Sequence, residues 1–70
     1  MAFADMVLFF GEKIYKTGDI IIVIFGENKV TVKGRLSDVD RRCINIDVSE
    51  KYNSMHKAIV IEEIHFIELA

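Results

Sequence analysis

The feature that most constrains this chain is an unbroken run of six apolar residues, Ile20–Phe25, of which all but the last are β-branched. β-Branched residues favour strands, because their stiff side chains pack well on a pleated surface. A strand that is apolar at every position has to be covered on both faces. We therefore predict a strand with one face directed into a small barrel and the other face beneath a second element. With 70 residues, the chain is predicted to be a single domain, residues 1–70.

The second element is predicted to be a helix near the N-terminus. Phe3, Met6, Val7 and Phe10 follow the spacing i, i+3, i+4, i+7, which places their side chains on one face of a helix. Gly11 would end this helix, because glycine readily adopts the left-handed conformation that is common just after a helix C-terminus.

Apolar and polar residues alternate in two further segments, residues 30–36 and 44–48. This pattern is typical of strands with one solvent-facing side. Gly34 lies inside the first segment and predicts a sharp bend or a close approach of two backbones. The alternation is broken by one residue within 36–39, which indicates a β-bulge. Residues 40–42 are predicted to form a tight reversal between the two strands.

The C-terminal part of the chain predicts two more short strands, residues 58–61 and 66–69. Ile61, Ile64 and Ile67 are spaced by three residues, which does not fit strand alternation and requires one tight turn between the strands. The predicted fold class is therefore all-β. We expect a small, strongly bent antiparallel barrel of five strands, of the SH3-like type, preceded by the N-terminal helix.

A domain of this size has a small core, and the sequence offers little else to stabilise it. Cys43 is the only cysteine, so no disulfide can form within the chain, and no Cys/His cluster has zinc spacing. The last strand is apolar and has no proline to protect its edge, so it invites pairing with another chain. We therefore predict a homo-oligomer. The predicted subunit interface contains Ala58, Ile59, Val60, Ile61, Phe66, Ile67 and Leu69.

Composition argues against several classes of function. The formal net charge of −2 and the pI near 5.6 count against a general nucleic-acid-binding surface, which is normally basic. No nucleophile–base or acid–base arrangement is present, so we predict neither an enzyme nor a cofactor or metal site. No apolar run approaches the ~20 residues of a membrane-spanning helix, so no membrane partner is predicted. The lone thiol suits the reducing cytoplasm.

The order of these segments and several residues resemble the Sm/LSm family, which includes the bacterial Hfq proteins. The first motif of that family is a glycine, an apolar frame, an aspartate and an asparagine across a strand–turn–strand unit. The matching positions here are Gly34, Leu36, Val39, Asp40, Asn45, Ile46 and Val48. One extra residue lies between Asp40 and Asn45. The second motif keeps its apolar frame, and Val60 and Ile61 replace the Arg-Gly pair of the family.

The resemblance implies an Sm-type barrel that assembles into a closed ring of about five to seven identical subunits, in which the fourth strand of one subunit pairs with the fifth strand of the next. It also implies single-stranded RNA as a ligand at the pore. By resemblance, Asp40 orients Asn45, Asn45 hydrogen-bonds a base edge, and Arg42 or Cys43 stacks on the base. Arg42 is the better candidate, because a guanidinium group can stack on a base. The alternative function is a structural ring that scaffolds protein partners and binds no nucleic acid. The acidic pI and the replaced Arg-Gly pair favour this alternative.

Each candidate residue also has a purely structural interpretation. Arg41 and Arg42 fit a solvated turn paired with a nearby aspartate as well as they fit a phosphate clamp. Asn45 fits a turn-flanking residue that hydrogen-bonds its own backbone. His56, in a polar loop, and His65, near a strand edge, fit surface or interface positions.

Overall fold

The computed structural model describes residues 6–49 and 54–70, and most of these residues lie in β-strands. Within these two ranges, seven strands follow one another, and a short 3-10 helix at Ile61–Glu63 joins the last two. The strands are β1 (Val7–Phe10), β2 (Lys13–Lys16), β3 (Ile20–Phe25), β4 (Val30–Val39), β5 (Cys43–Ser49), β6 (Ser54–Val60) and β7 (Ile64–Leu69). Within the described ranges, no helix is long and apolar enough to cross a membrane.

Five of the strands form one antiparallel sheet in the order β6-β5-β4-β3-β7. The prediction of an all-β fold with five antiparallel strands is confirmed, and β3 has the same limits as the apolar run that predicted it. Among residues 6–49 and 54–70, no ladder joins β6 to β7, so the sheet keeps two edges and does not close into a barrel. The strands β1 and β2 form a separate hairpin.

The sheet is strongly curved, because its two edge strands are neighbours in sequence. In a flat sheet, β6 and β7 would lie four strand spacings, roughly 19 Å, apart. The 3-10 helix that joins them has three residues and rises only about 2 Å per residue, so it spans far less than that distance. This connection is hydrogen-bonded to two other turns, the β4–β5 turn and the β3–β4 turn. Ile61 N–H donates to the Arg42 carbonyl at 2.7 Å, and Gly26 N–H donates to the Glu63 carbonyl at 2.9 Å.

The core lies inside this curve, and each of the seven described strands contributes to it. Its buried residues are Leu8, Tyr15, Ile21, Val23, Leu36, Ile44, Ile46, Ile59, Ile64 and Ile67. Within β3, Ile21 and Val23 are wholly buried, whereas Ile22 and Ile24 on the opposite face are half-buried and Ile20 is exposed. The prediction that β3 is covered on both faces therefore holds fully only for the inner face.

β5 passes very close to Gly34 of β4. A Cβ atom built on Gly34 would lie 2.4 Å from Ile46 Cγ2 and 2.5 Å from the backbone oxygen of Asp47. Such distances are far below van der Waals contact, so only glycine fits without a backbone shift. The close approach predicted from the sequence is confirmed. The predicted bulge is confirmed as well, since the register between β4 and β5 shifts between Leu36 and Asp38.

The prediction of an N-terminal helix is wrong for the residues that the structure describes. Val7–Phe10 is strand β1, which pairs with β2 in the register Leu8↔Tyr15 and Phe9↔Ile14. Gly11 has a φ of +61° and turns the hairpin, as expected of a glycine at the first central position of a tight hairpin turn. Every residue from 7 to 10 is apolar, so helical spacing is satisfied there without a helix. Phe3 lies outside the described residues.

The hairpin takes the place predicted for the helix as the element that covers the core. Leu8 and Tyr15 face each other across the hairpin, and both are buried in the same cluster as the β3 and β7 side chains. The other face of the hairpin is exposed, with Phe9 72% and Ile14 64% accessible.

Candidate functional site

The turn between β4 and β5 brings the candidate residue Arg42 next to the turn between β6 and β7. The hydrogen bond from Ile61 N–H to the Arg42 carbonyl fixes the two turns against each other. Between them lies an open cleft of about 430 Å³, here called the turn cleft. The turn cleft is lined by Arg41, Arg42, Cys43, Val60, Ile61 and Glu62.

The chemistry of the turn cleft combines cationic groups with an apolar wall. Arg41 and Arg42 are exposed, so their guanidinium groups are available to a ligand. Val60 and Ile61 supply the apolar surface, at the positions where the Sm/LSm pattern has Arg-Gly. A planar base can stack on guanidinium and pack against aliphatic carbon, while its phosphate pairs with the second arginine. Glu62 adds one carboxylate to the same cleft and weakens its positive potential.

The structure pairs Asn45 with Asp38. Asn45 Nδ2 donates to Asp38 Oδ2 at 3.5 Å across the β4–β5 ladder, where the two residues face each other. Asp38 Oδ1 also accepts the Val39 backbone N–H at 2.9 Å, which fixes the carboxylate. Asn45 is half-buried and its own backbone carbonyl accepts a hydrogen bond from Ser37 Oγ at 3.0 Å.

The resemblance gives Asp40 the role of orienting Asn45, but the carboxylate that is paired with Asn45 in the structure is that of Asp38. Asp40 is exposed, and its Oδ1 accepts the Arg41 backbone N–H at 2.5 Å. Its own N–H donates to the Cys43 carbonyl at 2.8 Å, so Asp40 shapes the turn that carries Arg42. The bulge between Leu36 and Asp38 is the physical reason, because it shifts the register and places Asp38 opposite Asn45.

The structure therefore brings together only part of the predicted RNA site. Arg42 lines the turn cleft, whereas Asp40 and Asn45 are not among its lining residues. Sequence analysis missed Asp38 as the partner of Asn45, although the extra residue between Asp40 and Asn45 was a signal that the pairing would shift. The free thiol of Cys43 is half-buried beside the cleft. In the described residues, no group of three or more His, Cys, Asp or Glu side chains could hold a metal ion.

One edge of the sheet is the outer side of β6. The bond from Ile61 N–H to the Arg42 carbonyl sets the alternation along the β5–β6 ladder. In an antiparallel ladder, hydrogen-bonded and non-hydrogen-bonded pairs alternate. Residues of a hydrogen-bonded pair direct their backbone N–H and C=O groups to the partner strand, and residues of the next pair direct theirs away from it. By this alternation, the backbone N–H and C=O groups of His56, Ala58 and Val60 point away from β5, toward the edge.

The other edge is the outer side of β7. Ala70 N–H donates to the Ile20 carbonyl at 3.0 Å, which sets the alternation of the β3–β7 ladder. Consequently the backbone groups of Ile67 and Leu69 point away from β3. Tyr15 Oη donates to the outward Ile67 carbonyl at 2.8 Å. The hairpin therefore occupies one hydrogen-bonding position of this edge.

The predicted interface residues divide into two groups. Ile59 and Ile67 are 1% and 2% exposed, so their side chains belong to the core of the subunit itself. The side chains of Ala58, Val60, Phe66 and Leu69 are exposed, and that of Ile61 is half-buried.

A polar ladder crosses three strands on the outer face of the sheet. Asp47 of β5 lies opposite Arg35 of β4 and His56 of β6. Its carboxylate forms an ion pair with Arg35 at 3.4 Å and a short hydrogen bond with the imidazole of His56. The hydrogen bond with His56 holds the pKa of Asp47 below its ordinary value of 3.8; partial burial opposes this shift, and Arg35 adds to it.

We expect the substitution Asp47→Asn to reduce the loss of unfolding free energy that occurs when the pH is lowered. A carboxyl group whose pKa is lowered by folding adds stability above its unfolded pKa of 3.8, and this stability is lost as the pH falls through the lower folded value. Urea unfolding at pH values from about 5 down to 2 should therefore show a steeper fall for the wild type than for Asp47→Asn. The difference should shrink when both proteins also carry His56→Ala. Equal slopes in the wild type and Asp47→Asn would refute this assignment.

No family model, curated protein or solved structure matches the chain.

Proposed function

We propose that this protein is an Sm-like subunit that joins copies of itself edge to edge into a closed ring, and that the ring binds single-stranded RNA. The observation that carries the proposal is the strand order β6-β5-β4-β3-β7. It places two consecutive strands at opposite edges of one sheet. Each edge presents outward backbone groups, so β6 of one copy can continue the sheet of the next copy at its β7.

A contact of this kind is head-to-tail, because it uses two different surfaces of the same subunit. Head-to-tail contacts produce either closed rings or open fibres, depending on the rotation between neighbours. The strong curvature of this sheet favours a rotation that closes after a few copies. The exposed side chains of Val60, Phe66 and Leu69 lie on the two edge strands and would be covered in such a contact.

The RNA part of the proposal is supported by the turn cleft. It lies beside the connection from β6 to β7, so ring closure would repeat it once in every subunit. A ring of such clefts would collect arginine side chains locally, although each subunit carries a net charge of −2. Arginine stacks on unpaired bases and pairs with phosphate, which suits single strands better than duplexes.

We expect a fluorescently labelled U-rich or A-rich oligoribonucleotide to bind the wild-type protein in a low-salt anisotropy titration at micromolar protein. Arg42→Ala should weaken this binding by about 5- to 150-fold, because one stacking contact contributes ~1–3 kcal/mol. Arg35→Ala is the matched control. It removes the same charge from the outer face, where Asp47 holds the guanidinium group, and should change the affinity by less than about 2-fold.

Two results would count against RNA as the ligand. One is the absence of any anisotropy change for the wild type at low salt, where electrostatic binding is strongest. The other is an equal loss of affinity in Arg42→Ala and Arg35→Ala, which would show that only the overall charge matters.

The second candidate function is a ring that scaffolds protein partners without nucleic acid. The carboxylate of Glu62 in the turn cleft and the acidic pI favour this candidate. A pull-down with the assembled protein separates the two functions. Partners retained after nuclease treatment indicate a scaffold, whereas partners lost with the RNA indicate an RNA-bridged association.

A further inference from the structure

The hairpin β1–β2 makes a specific contact with the edge of the sheet through Tyr15. The Tyr15 side chain is only 2% exposed, and its hydroxyl donates to the backbone carbonyl of Ile67 at 2.8 Å. That carbonyl points away from β3, as the alternation of the β3–β7 ladder requires. The Tyr15 hydroxyl therefore occupies the place that a backbone N–H of an added strand would take.

The space along this edge is open on both sides of Tyr15. One cavity of about 290 Å³ lies between the hairpin turn and β7, lined by Phe10, Gly11, Glu12, Lys13, Tyr15, Phe66 and Ile67. A second cavity of about 440 Å³ is lined by Lys13, Ile14, Tyr15, Glu68 and Leu69. Tyr15 lines both, so it bridges a groove that otherwise follows the edge strand.

We propose that Tyr15 is a latch that regulates assembly. In a single subunit it closes the β7 edge at Ile67, and it has to release that carbonyl before β6 of a second copy can pair there. This inference rests on the proposed edge-to-edge ring, and it names what controls that contact. The incoming donor is a backbone N–H of β6, where His56, Ala58 and Val60 direct theirs outward.

The chemistry of the contact suits such a role. A phenol can donate only while it is protonated, and burial together with the charge of Glu68 raises the pKa of Tyr15 above 10.0. The latch is thus a donor across the physiological pH range. When β6 of a second copy pairs at this edge, its backbone N–H replaces the Tyr15 hydroxyl as the donor to the Ile67 carbonyl. Assembly therefore gains one hydrogen bond fewer than it would without the latch, and is weaker by about the value of that bond.

Tyr15→Phe tests the latch, because it removes the hydroxyl and keeps the ring that fills the core. Sedimentation velocity over a concentration series should give an association midpoint about 2- to 10-fold lower for Tyr15→Phe than for the wild type. Ser37→Ala is the matched control. It removes another hydroxyl that donates to a backbone carbonyl, that of Asn45 at 3.0 Å, and should leave the midpoint unchanged. Circular dichroism melts establish that all three proteins are folded.

Failure of the latch and failure of the ring give different results in this experiment. Tighter association of Tyr15→Phe alone supports the latch, whether the wild type assembles readily or only at high concentration. If the wild type assembles and Tyr15→Phe assembles equally well or less well, the latch is refuted and the ring stands. Tighter association of Ser37→Ala to the same degree refutes the latch as well, because loss of stability would then explain the shift. If all three folded proteins stay monomeric at every concentration, both proposals fail.

Discussion

Replacing Gly34 by alanine is expected to remove most of the stability of this domain. The new Cβ would lie 2.4 Å from Ile46 Cγ2 and 2.5 Å from the Asp47 carbonyl oxygen. The first contact is with a side chain that is wholly buried, and the second is with backbone, so neither can move without displacing β5. Overpacking of this kind costs about 1–3 kcal/mol or more, and a domain of this size rarely has more than about 3–5 kcal/mol.

Urea unfolding followed by circular dichroism measures this effect. Lys33→Ala is the control, since Lys33 is the exposed neighbour of Gly34 in the same strand and should lie within about 0.5 kcal/mol of the wild type. A Gly34→Ala protein as stable as Lys33→Ala would mean that β4 and β5 lie farther apart at Gly34 than these contacts require.

The substitution Ala58→Pro is expected to abolish assembly while leaving the subunit folded. The backbone N–H of Ala58 points away from β5, so proline removes no hydrogen bond from the sheet of the subunit. It does remove a donor from the β6 edge and places its ring where a neighbouring strand would lie. Size-exclusion chromatography with light scattering should then show a folded monomer at concentrations where the wild type is assembled.

Ala58→Ser is the matched control for this experiment, because serine is also small and keeps the backbone N–H. It should assemble like the wild type. The proposal predicts that the two variants have similar circular dichroism spectra and differ in mass. Assembly of Ala58→Pro at the wild-type concentration dependence would exclude β6 as a contact edge.

Much of the central sheet could be predicted from the sequence because local signals and tertiary packing agree there. The β-branched run gave β3 its limits, since its inner residues fill the core. Gly34 and the broken alternation that follows it marked the close approach and the bulge. The three-residue spacing of Ile61, Ile64 and Ile67 predicted the tight turn, which is a 3-10 helix.

The N-terminal hairpin could not be predicted from the same patterns. A fully apolar segment such as Val7–Phe10 satisfies helical and strand spacing equally, so periodicity does not decide between them. Val7–Phe10 is a strand because β2 pairs with it and is itself held against the sheet. Tyr15 of β2 lies opposite Leu8 and hydrogen-bonds Ile67 at the β7 edge. That hydrogen bond joins residues 52 positions apart in sequence, so no local sequence pattern predicts it.

The candidate site was predicted in part for a related reason. Arg42 could be placed in its turn, because the turn is local. The partner of Asn45 depended on the exact register of β4 against β5, and the one-residue bulge after Leu36 places Asp38, in place of Ser37, opposite Asn45.

The mass of the wild-type protein in solution tests the edge-to-edge ring most directly. Multi-angle light scattering over a concentration series should show a species of about five to seven times the subunit mass of 8.0 kDa, and its share should fall as the sample is diluted. A well-folded 8.0 kDa monomer across the whole concentration range would contradict the account, because both sheet edges would then remain unpaired in the working protein.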